Sequence, residues 1–465
     1  MTGRIRRVAF LNVGQGDSAL IEADDGWRAL FDGGRQHEIE PFEPYLRRQR
    51  RVDLMIGTHF DADHLEGLCW LVENRILAGG IAHAMVPAQP HPHGDVIAAG
   101  GGGFGRRAGP SPLLADHFAA GRSLAEAYSA LEERASRSQR TIAALRRAVD
   151  AVSASGRSSA DPAAERAVGV ALEAGLPALA GLVRTAGQAR ALRAVDRARR
   201  PLLRGAALIE RELISASTLK RLVAALDEHS IPWSAAIAPD AVAPMTGASN
   251  DTGPRLWHLA PTRRYVEHYA KHVAAVWDKV FRVMEAVDTG LPTLSNRLSH
   301  VMVVEDAAGA AVAICGDSGF QYGRRIPDSL GDGWEEPFGG VTLLHLPHHA
   351  GRWGRFGARA RAVLSSARRP LAMYGSVGQR RSNPPGRAVV PFLRSVAERR
   401  GADAVLYVAN RPAGALGGLV SRRAGAAAEG PAVLELRPDG PVWSAEGLDH
   451  QGAPSAIEPI GVPLP

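Results

Sequence analysis

Residues 54–67, Leu54-Met55-Ile56-Gly57-Thr58-His59-Phe60-Asp61-Ala62-Asp63-His64-Leu65-Glu66-Gly67, constrain the fold more than any other stretch. An apolar run of strand length ends in a dense polar cluster and passes into Leu65–Leu77, whose apolar spacing suits a helix. His59, Asp61, Asp63 and His64 therefore fall on a strand-to-helix loop, where a rigid scaffold holds reactive groups. Imidazole nitrogens and carboxylate oxygens this closely spaced suit one or two divalent cations. In an extended segment His59, Asp61 and Asp63 point the same way, and His64 joins them as the chain turns. The competing reading is a polar loop with two surface histidines.

Composition narrows the chemistry. Hydrophobic residues make up 45% of 465, enough for one large core or two modest ones. Charged residues, at 22%, are too few for a wholly disordered chain. Cys69 and Cys315 are the only cysteines, which excludes a disulfide framework and an all-thiolate zinc site. Metal ligands must then be His and carboxylates. No membrane span is expected, since no apolar run reaches about eighteen residues. The opening Met1–Val8 does not read as a signal peptide, which points to the cytosol. The net charge of +7, nearly all of it from arginine, favours a polyanionic partner such as nucleic acid; genomic base composition also produces Arg-, Ala- and Gly-rich chains.

Residues 5–13 read as a first strand, Asn12–Asp17 as a glycine-punctuated turn and Ser18–Ala23 as a second strand. Asp24-Asp25-Gly26 is an expected hairpin turn into Trp27–Phe31, which ends at Asp32-Gly33-Gly34. A short helix falls within Arg35–Gln49, the strand 52–57 delivers the central cluster, and Ile81–Val86 is a strand stopped by Pro87. Further strands are expected at Trp233–Ile237, Arg255–Leu259, Ser299–Glu305, Ala310–Cys315, Gly340–Leu346, Pro370–Tyr374, Ala404–Ala409 and Ala432–Leu436. Helices are expected from about Thr262 to Val287 and from Gly386 to about Arg400.

Between Leu113 and about Leu226, Ala, Arg, Leu and Glu dominate, and four or five amphipathic helices are expected. Eight arginines from Arg184 to Arg211 stand against Asp196 and Glu210. Such a face suits nucleic acid or an acidic partner protein, and a solvated helix face accounts for it equally well. His91 and His93, and His268 and His272 one helical turn apart, have ligand-like spacing, but a polar loop and ordinary packing account for them better. Strands separated by helices over two halves imply an α/β protein with a long mainly helical insertion. Its expected divisions are 1–110, a helical Ala/Arg-rich insertion at 111–230, a second half at 231–450, and a loose tail at 451–465.

Strands repeatedly end in carboxylates or histidines: Asp32, the 59–64 cluster, Asp317, and His348 with His349. In layered α/β folds ligands gather beyond strand ends, so these groups are expected to converge. A buried carboxylate such as Asp317 is costly alone and favourable beside a dication.

These motifs carry a resemblance. The chain is similar to metallo-β-lactamase-fold hydrolases, and among them resembles the soluble domain of bacterial DNA-uptake (competence) channel proteins. Leu11-Asn12-Val13-Gly14-Gln15-Gly16-Asp17-Ser18, Asp32-Gly33-Gly34, and Thr58-His59-Phe60-Asp61-Ala62-Asp63-His64 match its successive blocks, with Asp61 where the wider superfamily has His. Asn296–Ser299, Cys315-Gly316-Asp317 and Leu346-Pro347-His348-His349-Ala350-Gly351 resemble the later ones. Ser376–Gly386 looks like a degenerate final block, with Pro384-Pro385 where a histidine is expected. No third-motif histidine stands out; His258 is near the place for one.

The resemblance implies an αββα four-layer sandwich and a metal-dependent hydrolase holding one or two divalent ions, zinc or manganese first, with magnesium as a further option. It implies His59, Asp61 and a histidine of the 348/349 pair, His349 being favoured, at one metal. Asp63 and His64 are implied at the second, with Asp317 bridging. Asp32 is implied as an orienting group, and Asp63 and His348 as proton-handling groups. A metal-activated water then replaces a side-chain nucleophile. The implied substrate is nucleic acid, DNA first, so that the protein is a nuclease or phosphodiesterase. Stand-alone relatives resemble effectors of antiviral (phage) defence, with the insertion as a dock for a regulating protein. Two alternatives stay open: a small-molecule or nucleotide hydrolase with the insertion as lid, and a non-catalytic scaffold.

Overall fold

The computed structural model describes residues 3–14, 16–87, 89–90, 96–97, 218–219, 221–245, 253–268, 296, 298–323, 326–351, 353–364, 370–376, 388–400, 404–409, 430–439, 442–455 and 460–463. Nearly all of the expected insertion, its Arg-rich run, the loop histidines His91 and His93, His272, and the 377–386 part of the last block lie outside the described residues.

The strands are β1 (Ile5–Leu11), β2 (Ala19–Ala23), β3 (Arg28–Phe31), β4 (Leu54–Ile56), β5 (Ala84–Pro87), a small ribbon of β6 (Gln89–Pro90) and β7 (Val96–Ile97), and β8 (Trp233–Ala236). They continue with β9 (Pro244–Met245), β10 (Arg255–Ala260), β11 (Val301–Glu305), β12 (Ala311–Ile314), β13 (Leu343–His345), β14 (Leu371–Gly375), β15 (Ala404–Val408), β16 (Val433–Asp439), β17 (Val442–Leu448) and β18 (Ile460–Pro463). Two eight-stranded sheets result, ordered β17-β16-β1-β2-β3-β4-β5-β8 and β18-β15-β14-β13-β12-β11-β10-β9. In the first, β3, β4, β5 and β8 run parallel, and in the second β12 to β15 do.

Three apolar layers hold the sheets. Phe10, Ile21, Phe31 and Ile56 of the first sheet meet Met302, Val304, Ile314 and Tyr374 of the second. Leu20, Leu30 and Met55 face away, onto Leu65, Leu68 and Val72 of the helix Ala62–Glu73. Val303, Ala313, Leu344 and Met373 likewise face Phe356, Ala360 and Leu393 of the helices Phe356–Leu364 and Val389–Arg400. Strands covered on both faces need apolar residues at successive positions, which is why β2 and β4 are buried throughout and read as runs rather than alternations. The order helix, sheet, sheet, helix is the expected αββα sandwich.

Several expectations need correction. The helix after β4 begins at Ala62 rather than Leu65, with Asp61 in extended backbone before it. Asp63 therefore occupies the first turn, where a carboxylate complements the exposed N–H groups. The first sheet draws strands from both ends of the sequence. β8 extends the first sheet, and the β16–β17 hairpin returns to pair with β1 in the register Val8↔Leu436. Leu219, Leu222 and Leu226, assigned to the insertion, join the core beneath the first sheet. Residues 451–465, expected as a loose tail, supply β18, which pairs antiparallel with β15. Among the described residues no helix is long and apolar enough to cross a membrane.

His83, just before β5, tests the burial beneath the first sheet. It is buried, its Nε2 is 2.8 Å from Ser234 Oγ, and burial lowers its pKa from 6.5 to about 3. Between those values the unfolded chain binds a proton that the folded chain refuses, so folding stability falls as pH drops through 6.5 towards about 3. Over about two pH units the cost approaches roughly 2 kcal/mol. His83→Gln should therefore lose about 2 kcal/mol less than the wild type between about pH 6.5 and pH 4.5 in urea titrations. Identical pH slopes would rule this out.

Candidate metal centre

The site lies where strands of both sheets end. Asp17 follows β1, Asp32 follows β3, and the 57–64 segment follows β4. Asp317 follows β12, His348 and His349 follow β13, and Ser376 follows β14. The backbone bends sharply at these ends. Asp32 has φ 53°, and His348, His349 and Ala350 are left-handed in succession at φ 54°, 50° and 58°. Each such residue costs on the order of 1–3 kcal/mol and persists only where surrounding structure imposes it. Gly33 and Gly67 let the helix Ala62–Glu73 approach the Asp32 turn: Gly33 N–H donates to His64 O at 2.8 Å, and Gly67 N–H to Gly34 O at 2.9 Å.

Asp32 anchors one side. It accepts hydrogen bonds from Thr58 N–H and Thr58 Oγ1–H, both at 2.7 Å, and from His64 Nδ1–H at 2.8 Å. This leaves His64 Nε2 facing Asp317 Oδ1 at 3.5 Å. His59 Nε2 is 3.6 Å from Asp317 Oδ2 and 3.9 Å from Asp61 Oδ2. His349 Nε2 is 3.7 Å from Asp63 Oδ2 and 3.8 Å from Asp317 Oδ1. Asn296 Nδ2–H donates to Asp317 Oδ2 at 2.7 Å and lies 3.2 Å from His348 Nε2.

Asp17 repeats the Asp32 arrangement on the other side. Its Oδ1 is 3.2 Å from His349 Nδ1 and 3.3 Å from His345 Nε2, and it accepts a hydrogen bond from Ser376 Oγ–H. Two buried carboxylates thus sit behind two imidazoles and turn both Nε2 atoms towards Asp317. No role was expected for Asp17, Asn296 or Ser376, although all three stand in the motif blocks. A carboxylate after a glycine-punctuated strand end was the available signal for Asp17.

The electrostatics fit a cation. Burial by itself raises the pKa of Asp317, but the His348, His349, His59 and His64 rings outweigh it and hold the carboxyl well below its usual range. Asp17 is also held well below that range against burial, by His345 and His349. Burial lowers His64 and His349, yet Asp32 and Asp317 raise His64 well above 6.5, and Asp17 and Asp317 raise His349 to about 9. His59, by contrast, is lowered, by burial and by neighbouring His64. The carboxylates that favour positive charge on His64 and His349 would favour a bound dication in the same place.

His59 Nε2, His64 Nε2, His349 Nε2 and Asp317 Oδ1 are buried and have no hydrogen-bond partner among the described residues. Unpaired buried polar atoms are expensive, and four of them aimed together fit a divalent cation as their shared partner. Their donors form close groups: His59, His64 and Asp317; Asp63, His64 and His349; Asp17, Asp317 and His349; and Asp17, Asp32 and His64. His349 thus gathers with Asp63, and Asp61 belongs to none of these groups. His348 stands at the rim, 3.7 Å from Asp317 Oδ2. His258 is buried against His300, ring to ring at 4.8 Å with Nε2 2.8 Å from His300 Nδ1, and His268 likewise falls outside every group.

The side chains of Asp63 and His348, 23% and 12% exposed, form the open lip over this buried base. The arrangement is a candidate metal-binding active site consistent with hydrolase chemistry. Compared with protein-family models, curated proteins and solved structures, the chain has no significant match.

Proposed function

We propose that the protein is a metal-dependent phosphodiesterase that cuts nucleic acid, DNA being the expected polymer. One observation carries the reading: four buried atoms with no hydrogen-bond partner among the described residues converge beneath a lip formed by Asp63 and His348. His59, His64 and Asp317 would hold one divalent ion, and Asp63 and His349 offer donors for a second, with Asp61 near the first. Mixed imidazole and carboxylate donors favour zinc or manganese over magnesium. A dication held there supplies Lewis acidity, lowering the pKa of nearby water and polarising a phosphoryl oxygen.

The chain's own groups do the rest. Asp32, through His64 Nδ1, sets the imidazole's orientation, and such outer partners are worth roughly 10- to 100-fold in metal affinity. Asp63 opens to solvent from the first helical turn and is placed to orient an attacking water and take its proton. His348, beside Asn296 at the rim, is placed to give a proton to the leaving oxygen. The net charge of +7 supports a polyanionic substrate. The Arg184–Arg211 run is the proposed dock for that polymer or for an acidic regulator, as in a defence effector.

Chelator-stripped protein reloaded with zinc, manganese or magnesium should cut labelled DNA, and excess chelator should stop it. Turnover of nucleotides or simple esters with polymer left intact would replace this reading by a small-molecule hydrolase. Binding without any turnover would leave a scaffold.

A further inference from the structure

The two segments that supply Asp317 and His349 leave the site side by side. Beyond Asp317 the chain passes through buried Phe320 and reaches Tyr322. Beyond His349 it passes Trp353, whose Nε1–H donates to Pro347 O at 2.8 Å, and reaches Arg355, whose N–H donates to Gly319 O at 2.8 Å. A tyrosine and an arginine therefore meet where both segments emerge. The Arg355 guanidinium is 5.3 Å from the centre of the Tyr322 ring, and that of Arg359 is 4.9 Å away. Arg359 N–H donates to Arg355 O at 3.2 Å, so the two arginines stand one helical turn apart on one helix face, both against the Tyr322 ring.

The two arginines differ in charge balance. Arg359 is gripped by both oxygens of Asp328, at 2.5 and 2.7 Å, and also lies over Trp334, so it acts as a strut. Arg355 is exposed and makes no ion pair among the described residues. Tyr322 is 44% exposed, whereas most large apolar side chains among the described residues are buried. Just beyond it, Gly323 and Ile326 exchange backbone hydrogen bonds of 3.1 and 3.2 Å.

An exposed aromatic ring packed against guanidinium, with an arginine beside it that makes no ion pair among the described residues, matches the chemistry of a stacked base with its phosphate. We infer that Tyr322 and Arg355 form a binding platform for single-stranded nucleic acid, the ring stacking on an unpaired base and the guanidinium taking a backbone phosphate. The inference rests on the phosphodiesterase reading and names the form of polymer the site accepts. A base within a duplex has no free face to offer, so the platform discriminates between the two forms.

The test is fluorescence anisotropy of a labelled oligothymidylate of roughly fifteen nucleotides, within the usual span of such sites, in excess chelator so that nothing is cut. Tyr322→Ala should weaken binding about tenfold, and Tyr322→Phe should restore it. Arg355→Gln should weaken binding and make the log-affinity against log-salt slope shallower by about 0.7. A duplex of equal length should bind more weakly and ignore Tyr322→Ala. Wild-type affinity in Tyr322→Ala, equal losses in Tyr322→Ala and Tyr322→Phe, or equal sensitivity of the duplex would each overturn the platform. Wild-type protein that takes up metal and hydrolyses bis(p-nitrophenyl) phosphate but ignores oligothymidylate would overturn the platform alone. Protein that takes up no metal, yet shows the Tyr322 pattern with DNA, would overturn the hydrolase and leave the platform standing.

Discussion

Replacing Asp317 with alanine is expected to abolish metal uptake and, with it, hydrolysis. Its two oxygens lie between 3.5 and 3.8 Å from the Nε2 atoms of His59, His64, His348 and His349, and among the described residues no other carboxylate reaches so many site rings. Without it a dication would sit among buried imidazoles with its principal counter-charge removed. Breaking a buried charge pair costs about 3–5 kcal/mol, roughly two to four powers of ten in affinity. Asp317→Asn separates charge from shape, because the amide fills the same space and still meets Asn296. Both variants should lose bound metal after dialysis, read by elemental analysis, and should lose calorimetric zinc or manganese binding. Wild-type metal content in Asp317→Asn would mean that the ion, if any, is held elsewhere.

Gly67→Ala is expected to damage the site without touching a single donor. A Cβ there would lie 2.0 Å from Gly33 O and 2.5 Å from Gly33 C, both backbone atoms that cannot rotate away. Relief requires moving the helix that carries Asp63 and His64 away from the turn that carries Asp32. That movement breaks the bonds from Gly67 N–H to Gly34 O and from Gly33 N–H to His64 O, and loosens the 2.8 Å contact between His64 and Asp32. Overpacking of this kind costs about 1–3 kcal/mol, and more where backbone meets backbone. Urea unfolding of Gly67→Ala should show a loss of about 3 kcal/mol, and metal affinity of the folded fraction should fall roughly tenfold. Glu66→Ala, one residue away, should change stability by no more than about 0.5 kcal/mol. Equal stability of Gly67→Ala and wild type would refute the close approach.

Much of this architecture is legible in the chain. Leu54–Ile56 followed by His59, Asp61, Asp63 and His64 announces a strand that presents ligands, because an apolar run and a polar cluster cannot share one environment. Asp317 and His349 are visible for the same reason, each standing just past an apolar strand. Strand positions were also readable, since sheets covered on both faces demand uninterrupted apolar runs. The start of the helix at Ala62 was missed because helical periodicity emerges only at Leu65, after the polar first turn.

Residue types and local pattern alone determined the strands that carry the site, that an all-thiolate metal site is excluded, and that strand ends carry His and Asp. Only the tertiary structure decided which of those ends meet. Asp17 and Ser376 are 359 positions apart and become hydrogen-bonded because both sheets end at one edge. The β16–β17 hairpin pairs with β1 rather than with its sequence neighbours, a choice made by packing between sheets that no local pattern records. The roles of Asp17 and Asn296 stayed hidden for the same reason: a hydrogen bond to a distant ring leaves no trace in the residues on either side of it.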